Sequence, residues 1–591
     1  MRERQAALAW QERKHARYAW ARLGLLGVAA GILLVGGLGR SDLLIAPAAA
    51  FLVLAVAHAR VLNARDRAQT AVSFYERALA RVAGAWMGTG RTGADLAPAD
   101  HLFAADLDLF GRASLFELLA TSRTHAGDAT LARWMLAPAP PDVIRARQAA
   151  VAELAPRIDL REQVAVLGNA VRLAVHPDVL ARWSRAPVEL RGRGIRILLA
   201  VLATGTAASL GWALWSGEGT ILLSLFTLAQ LAAAAWYKAR VAAVVSAVDE
   251  PAHDLGVLAG LLASLEREPV ASPYLRDLQQ RVATSGRPAS AEIGRLSTLV
   301  AMLSSRSNLM FAALAGVLMW ATQWAFAIEA WRARAGVRVP DWLDAIGEFE
   351  AILALSAYAA EHPSTTMPVV EEARGSALEA RGLAHPLLGD AAVANDVALD
   401  AASGPALLIV SGSNMSGKST LLRAIGVNVV LAGMGAPVRA GAFRMTPLDI
   451  GASIRVTDSL ADGRSRFMAE VVRLKAIVDL ATARRGEVLF MLDEILSGTN
   501  SHDRRIGAEA VLASLVASGA IGLATTHDLA LGEIAAARTG AAVNVHFEDT
   551  FEEGALVFDY RLKPGIVRTS NALRLMRAAG LNIDNENAGQ T

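Results

Sequence analysis

At 591 residues the chain is too long for one ordinary hydrophobic core and implies several domains. Apolar residues make up 53% of it and its mean hydropathy is +0.35, more than a soluble protein carries, so the excess must be concentrated somewhere. The net charge of +2 singles out no partner, and the absence of cysteine excludes disulfides, thiolate metal sites and a cysteine nucleophile.

The basic lead, with Arg2, Arg4, Arg13, Lys14, Arg17 and Arg22, does not read as a cleavable signal peptide. Two uncharged runs follow, 23–39 and 43–59, separated by Arg40, Ser41 and Asp42. Each can cross ~30 Å of hydrocarbon as a helix. A single continuous span would bury Arg40 and Asp42 at about 2.5–3.5 kcal/mol each, so a helical hairpin is expected. A second pair, 197–215 and 220–237, is joined by Ser216-Gly-Glu-Gly219. Basic residues flank both pairs, so the positive-inside rule puts the flanks and both termini in the cytoplasm. The charge-free run 309–328 would give an odd number of crossings, and Thr322 and Gln323 interrupt it; it reads as a buried helix of the soluble part.

The remaining stretches up to about residue 382 read as helical. Residues 106–136 end at Pro138, Pro140 and Pro141; 142–153 resume; 349–360 close before Pro363 and Pro368. From residue 383 short β-type runs alternate with helices, which is an α/β pattern. The expected fold class is therefore α + α/β. It divides into a basic lead and first hairpin (1–68), a first helical part (69–190), a second hairpin (191–240), a second helical part (241–382), an α/β domain (383–580) and a polar tail (581–591).

Chemistry concentrates in the α/β part. The apolar run 406–410 leads into Gly412-Ser413-Asn414-Met415-Ser416-Gly417-Lys418-Ser419-Thr420, followed by a helical stretch. This is the phosphate-loop pattern in its strand–loop–helix setting, in which backbone N–H groups and the helix N-terminus face phosphate. Lys418 is expected to reach the β- and γ-phosphates of ATP, and Ser419 to ligate Mg²⁺. A second apolar run, 488–492, ends in Asp493-Glu494. Asp493 is expected to hold the Mg²⁺ through water and Glu494 to polarise the attacking water. A third run, 521–526, ends in His527, a candidate γ-phosphate sensor.

These motifs together resemble the MutS family of DNA mismatch-repair ATPases, a branch of the ABC-type class. The resemblance rests on Asn414-Met415 inside the loop, on Asp462-Gly-Arg-Ser465-Arg-Phe467-Met-Ala-Glu470, on Asp493-Glu-Ile-Leu-Ser-Gly498-Thr499 and on Thr525-Thr-His527. It continues upstream in Asp106-Leu-Asp-Leu-Phe-Gly111, in 130–138 and in His385-Pro386. It implies an ATPase acting as a homodimer, with each nucleotide lying between one phosphate loop and the partner's Ser497, Gly498, Thr499, Asn500 and Ser501. It also implies DNA as a partner. The chain departs from the family in three ways. Membrane hairpins interrupt its helical core, no counterpart of the mismatch-reading or nuclease modules is recognised, and Ala392-Val393-Ala394-Asn395 occupies the place where many members present an aromatic to adenine.

The combination is similar to the membrane-bound MutS-like proteins of bacteria, which implies a multi-pass protein of the inner membrane with the lipid bilayer as a further partner. An ATP-driven transporter and an ATP-switched scaffold are the competing readings. Against transport, the apolar runs are nearly free of ionisable groups, no Leu-Ser-Gly-Gly-Gln occurs, and only about 75 residues separate Lys418 from Asp493.

Overall fold

The computed structural model describes residues 1–36, 43–167, 177–249, 255–283, 286–308, 311–372, 375–413, 415–455, 466–526, 541–552 and 555–566. Asn414, Ser465, His527, the Arg40–Asp42 junction and the tail 581–591 lie outside the described residues.

Four helices are long and apolar enough to cross a membrane, within Arg2–Val35, Ile45–Val82, Gly194–Ser216 and Thr220–Ser246. Their apolar side chains face outward: Leu34, Val35, Val53, Leu214, Trp215, Ile221 and Trp236 are all exposed. The helices run beyond the apolar stretches. The basic lead is helical from Arg2, and the second helix continues to Val82, through the expected boundary at residue 68. That continuation is tied to the helical body. Tyr75 donates to Glu162 Oε2 at 2.7 Å, Arg4 pairs with the same carboxylate, and Arg81 forms a two-pronged pair with Glu361.

The body is built around the helix Val339–Glu361, which is buried along most of its length and packs on His125–Leu136, Pro141–Leu154 and Pro273–Val282. Residues 106–136 do not form the expected continuous helix. Ser114 accepts from the Glu117 amide and Thr124 from the Gly127 amide, so each caps a separate helix, Leu115–Leu119 and His125–Leu136.

The run 309–328 is also not one helix. It breaks between Ala312–Val317 and Trp320–Ala335, with Met319 in the left-handed region at φ 46°. The freed Val317 carbonyl accepts from Gln230 Nε2 at 2.6 Å, a buried amide midway along the fourth apolar helix. The polar residue in that apolar helix thus answers the break in its neighbour.

Strands begin at β1 (Val369–Val370), ahead of residue 383. With β2 (Ala377–Leu383), β3 (Asn395–Asp400) and β5 (Ala442–Met445) this strand forms a small sheet ordered β1-β5-β2-β3. The larger sheet contains β4 (Leu407–Ser411), β6 (Asp449–Ser453), β7 (Val488–Leu492), β8 (Ile521–Thr526), β9 (Ala542–Glu552) and β10 (Ala555–Pro564), in the order β10-β9-β4-β8-β7-β6. It is parallel from β9 to β6, and β10 alone runs antiparallel. β4, β7 and β8 are buried at every position, which is why they read as unbroken apolar runs.

Helical body and sheets share one hydrophobic core. The helix Lys418–Met434 packs on it so closely that a Cβ at Gly426 would lie 2.6 Å from Leu107 and 2.8 Å from Met491. A polar anchor reinforces the joint. Asp106 is fully buried; its Oδ1 accepts from the Ile454 and Arg455 amides at 2.7 Å each, and its Oδ2 pairs with Arg473. Removing this carboxylate leaves two partly buried amides and a guanidinium without it. Asp106→Ala is expected to cost about 3–5 kcal/mol, read as a lowered unfolding midpoint of the detergent-purified protein.

Candidate active site

The C-terminal ends of β4, β8 and β7 stand level, with Ser411 paired to Thr526 and Leu492 to Ala524. Loops leaving strand ends at such a position converge on one crevice. From β4 the chain enters the glycine-rich loop. Gly412 has φ +150°, and a Cβ there would lie 2.8 Å from Ser416 Oγ and 3.1 Å from the Phe547 carbonyl. Gly417, at φ +103°, starts the helix Lys418–Met434 and faces the Tyr560 ring, 3.2 Å from where its Cβ would be. Both positions need glycine, for conformation and for space.

Lys418 is buried, and its Nζ donates to the Gly412 carbonyl at 2.9 Å and the Ser413 carbonyl at 2.8 Å. Burial pushes its ammonium below the ordinary lysine value, opposed by the charges of Asp493 and then Glu494. The hydroxyl oxygens of Ser413 and Ser416 are buried and make no hydrogen bond among the described residues. Buried donors of this kind cost free energy until something accepts from them. Two orphaned hydroxyls, a buried cation and a helix N-terminus in one glycine cradle fit an oxyanion ligand such as phosphate.

The acidic strand end faces this loop. Lys418, Ser419, Thr420 and Glu494 line a single cavity of about 520 Å³, closed by His385, Leu388, Ala392, Val393, Met415 and Tyr560. Thr525 fixes the carboxylates: its Oγ1 accepts from the Glu494 amide at 2.9 Å and donates to Asp493 Oδ1 at 2.5 Å. Burial, then Arg423, pushes the His385 imidazole down to about 4, so it is a neutral wall at physiological pH. Among the described residues no three His, Asp or Glu side chains cluster as a preformed metal site. A cation here would draw on Ser419 and Asp493 together with the ligand's own oxygens, as Mg²⁺ does.

The segment after Glu494 is a supported turn. Glu470 Oε1 accepts from the Leu496 amide at 2.5 Å, and Phe467 lies 3.2 Å from where a Gly498 Cβ would be. Arg504 clamps the turn from the other side through the Leu496, Ser497 and Thr499 carbonyls. Asn500 caps the helix Ser501–Ala517, and Gly498, Asn500 and Ser501 are exposed on the surface. Backbone strain gathers here too. Met415, Glu494, Leu496 and Tyr560 are non-glycine residues at positive φ, which surrounding structure must enforce.

Sequence reasoning missed Tyr560, Thr525 as a bridge, and Arg504. Tyr560 reaches the loop only because β10 bulges between Phe558 and Leu562 on an antiparallel edge far along the chain. The Thr525-Thr pair after an apolar strand was the one available signal for the bridge.

Residues 408–585 match the family model MutS domain V. The chain is 38% identical over 179 residues to a protein named DNA mismatch repair protein MutS 2 from Haloarcula marismortui, covering 30% of this chain and 18% of that one. It is 32% identical over 254 residues to a protein of the same name from Halobacterium salinarum, covering 42% and 28%. It is 32% identical over 255 residues to the DNA mismatch repair protein MutS of Myxococcus xanthus, again 42% and 28%. The matches thus span less than a third of these relatives' own length.

Thr525→Val keeps the shape of residue 525 but strips the Glu494 amide of its acceptor. The expected cost is about 1–3 kcal/mol, localised, and readable as faster amide exchange over residues 494–499 with the rest of the sheet unchanged.

Proposed function

We propose, from the premise that the chain is MutS-like and related to mismatch-repair proteins over residues 408–585, that it is a membrane-anchored P-loop ATPase whose nucleotide cycle drives a clamp-like movement of its helical body on DNA. One observation carries the reading: Lys418 and Glu494, seventy-odd residues apart in sequence, line one cavity together with Ser419 and Thr420.

In this reading, Lys418 exchanges its two carbonyl partners for phosphate oxygens, which restores the charge that burial disfavours. Mg²⁺, held through Ser419 and Asp493, supplies neutralisation of phosphate charge. Glu494, oriented by Thr525 through its own amide, polarises water. Tyr560 supplies the aromatic surface that residues 392–395 lack. The exposed turn 497–501 is the surface a second copy would present across the nucleotide. Glu494→Gln is expected to lower ATP turnover about 10²- to 10⁴-fold while ATP binding persists. Unchanged phosphate release would remove Glu494 from its role. Stimulation of turnover by duplex or branched DNA at stated salt supports the DNA reading, whereas stimulation by lipid or a small solute alone rejects it.

The four apolar helices are the anchor, with both termini at the cytoplasmic face of a bacterial inner membrane. Gln230 then lies ten residues, about 15 Å, from the outer end of its helix, near the middle of a ~30 Å hydrocarbon layer. The broken segment at Val317 is held to Gln230, so it reaches bilayer depth from the cytoplasmic side without crossing. A break there is tolerable because protein satisfies the freed carbonyl. The natural lack of cysteine allows a direct check with single substitutions and a membrane-impermeant maleimide. Ser216→Cys is expected to label from outside intact cells, Val337→Cys only in inverted vesicles, and Leu314→Cys in neither until detergent is added. Reaction of Ser216→Cys only in inverted vesicles would refute the topology.

A further inference from the structure

A cavity of about 980 Å³ lies away from the nucleotide crevice. Its walls are the inner end of the second apolar helix (Gln69–Arg81), the loop Gly88-Thr-Gly-Arg-Thr-Gly93, the start of the helix His125–Leu136, and parts of Ile158–Val166 and Val339–Glu361. Five arginines line it: Arg77, Arg81, Arg91, Arg123 and Arg161.

The acids among them are largely committed to local structure. Glu117 accepts from the Gly90 and Ala113 amides, and Glu350 from the Arg123 and Thr124 amides and the Thr124 hydroxyl. Burial pushes Glu350 up to about 7, so near neutral pH much of it carries no charge. Asp128 is shared by Arg91 and Ser122, and Arg81 is taken by Glu361. Glu76 and Asp95 stand exposed at the rim. Among the described residues Arg161 hydrogen-bonds only the carbonyls of Leu154 and Ala155, with the charge of Glu361 nearby, and Arg77 only the Ser73 carbonyl. Burial pushes the guanidinium of Arg77 down, and its charged neighbours Arg81 and Arg91 push it the same way. Burial does the same to Arg123, with Arg77 as the next cause.

Cations around a shared cavity repel one another, and an anion bound between them relieves that repulsion. Planar guanidinium groups converging from three elements are the donor set that phosphate oxygens accept from most readily. The glycine-rich loop lets backbone approach the same space: Gly93, at φ +60°, has no room for a Cβ, which would lie 2.7 Å from the Phe116 ring. We propose that this cavity, walled by Arg77, Arg91, Arg123 and Arg161 and the loop 88–93, is a second binding site, for a small ligand bearing two or more phosphate charges. A lipid headgroup is a poor occupant on the membrane reading above. Residues 69–81 follow the end of the apolar run at 59 by ten residues or more, which is about 15 Å or more of helix below the bilayer.

The site is tested on the full-length, detergent-purified chain by equilibrium dialysis with radiolabelled pyrophosphate. Wild type is expected to take up two equivalents, Lys418→Ala one, and Lys418→Ala with Arg77→Glu none at the same concentration, a loss of affinity of about tenfold or more. Arg77 stands at the mouth with part of its side chain in solvent and forms no ion pair among the described residues, so the substitution should leave folding intact, and Lys418→Ala with Arg77→Lys should recover part of the uptake. Equal uptake by Lys418→Ala with and without Arg77→Glu overturns the proposal, as does no uptake by Lys418→Ala. Two equivalents in both wild type and Lys418→Ala would instead count against the nucleotide crevice and leave the second site standing. Displacement of pyrophosphate by duplex DNA at matched phosphate concentration would overturn the small-ligand assignment in favour of a nucleic-acid backbone.

Discussion

A carboxylate buried at Asp106 sets the constraint on which the rest of the molecule depends. A charge in a protein interior is tolerated only when its oxygens are fully engaged, and here the partners all come from the C-terminal domain. Two are backbone amides where the chain leaves β6, and the third is Arg473 on the helix that carries Glu470. Glu470 in turn holds the Leu496 amide, two residues beyond Glu494. The helical body is therefore one ion pair and one hydrogen bond from the acidic end of the crevice. Asp108 adds to the same joint through Arg455.

Central features of the α/β part were legible because burial on both faces writes them into composition. Val488–Leu492 is apolar at all five positions and is the strand itself; Leu407–Ser411 and Ile521–Thr526 differ from the expected runs by a residue at most. The glycines at 412 and 417 were legible for another reason: positive φ and close neighbours leave no room there for a Cβ. Features created by tertiary contact left no such trace. The break at Met319 is met by Gln230, nearly ninety residues earlier, and the polar pair Thr322 and Gln323 that interrupts 309–328 lies past the break and does not mark it. The roles of Thr525 and Arg504 are hydrogen bonds to backbone groups that only the folded turn presents. The sheet onset at Val369 was hidden because β1 is two residues long and parallel to β5, far ahead of it in sequence.

The apolar hairpins are not appendages. The second apolar helix carries Tyr75 and Arg81 into the helical body, and the fourth carries Gln230 against the broken segment. Both are continuous helices through the region where apolar composition gives way to mixed composition, so no slack linker separates the outward-facing apolar surface from the core. The arginine-lined cavity sits where one of these helices meets the body, on a different set of elements from the crevice.

The near-absence of clearance at Gly426 has a mechanical corollary. At Gly426 one face of the helix that begins at Lys418 meets both Leu107 and Met491, with no room for even one methyl group. Parts fitted this tightly transmit displacement rather than absorb it. A tilt of that helix, however small, must be passed to the strand ending at the acidic pair and to the segment containing Asp106 together, as gears in mesh turn together.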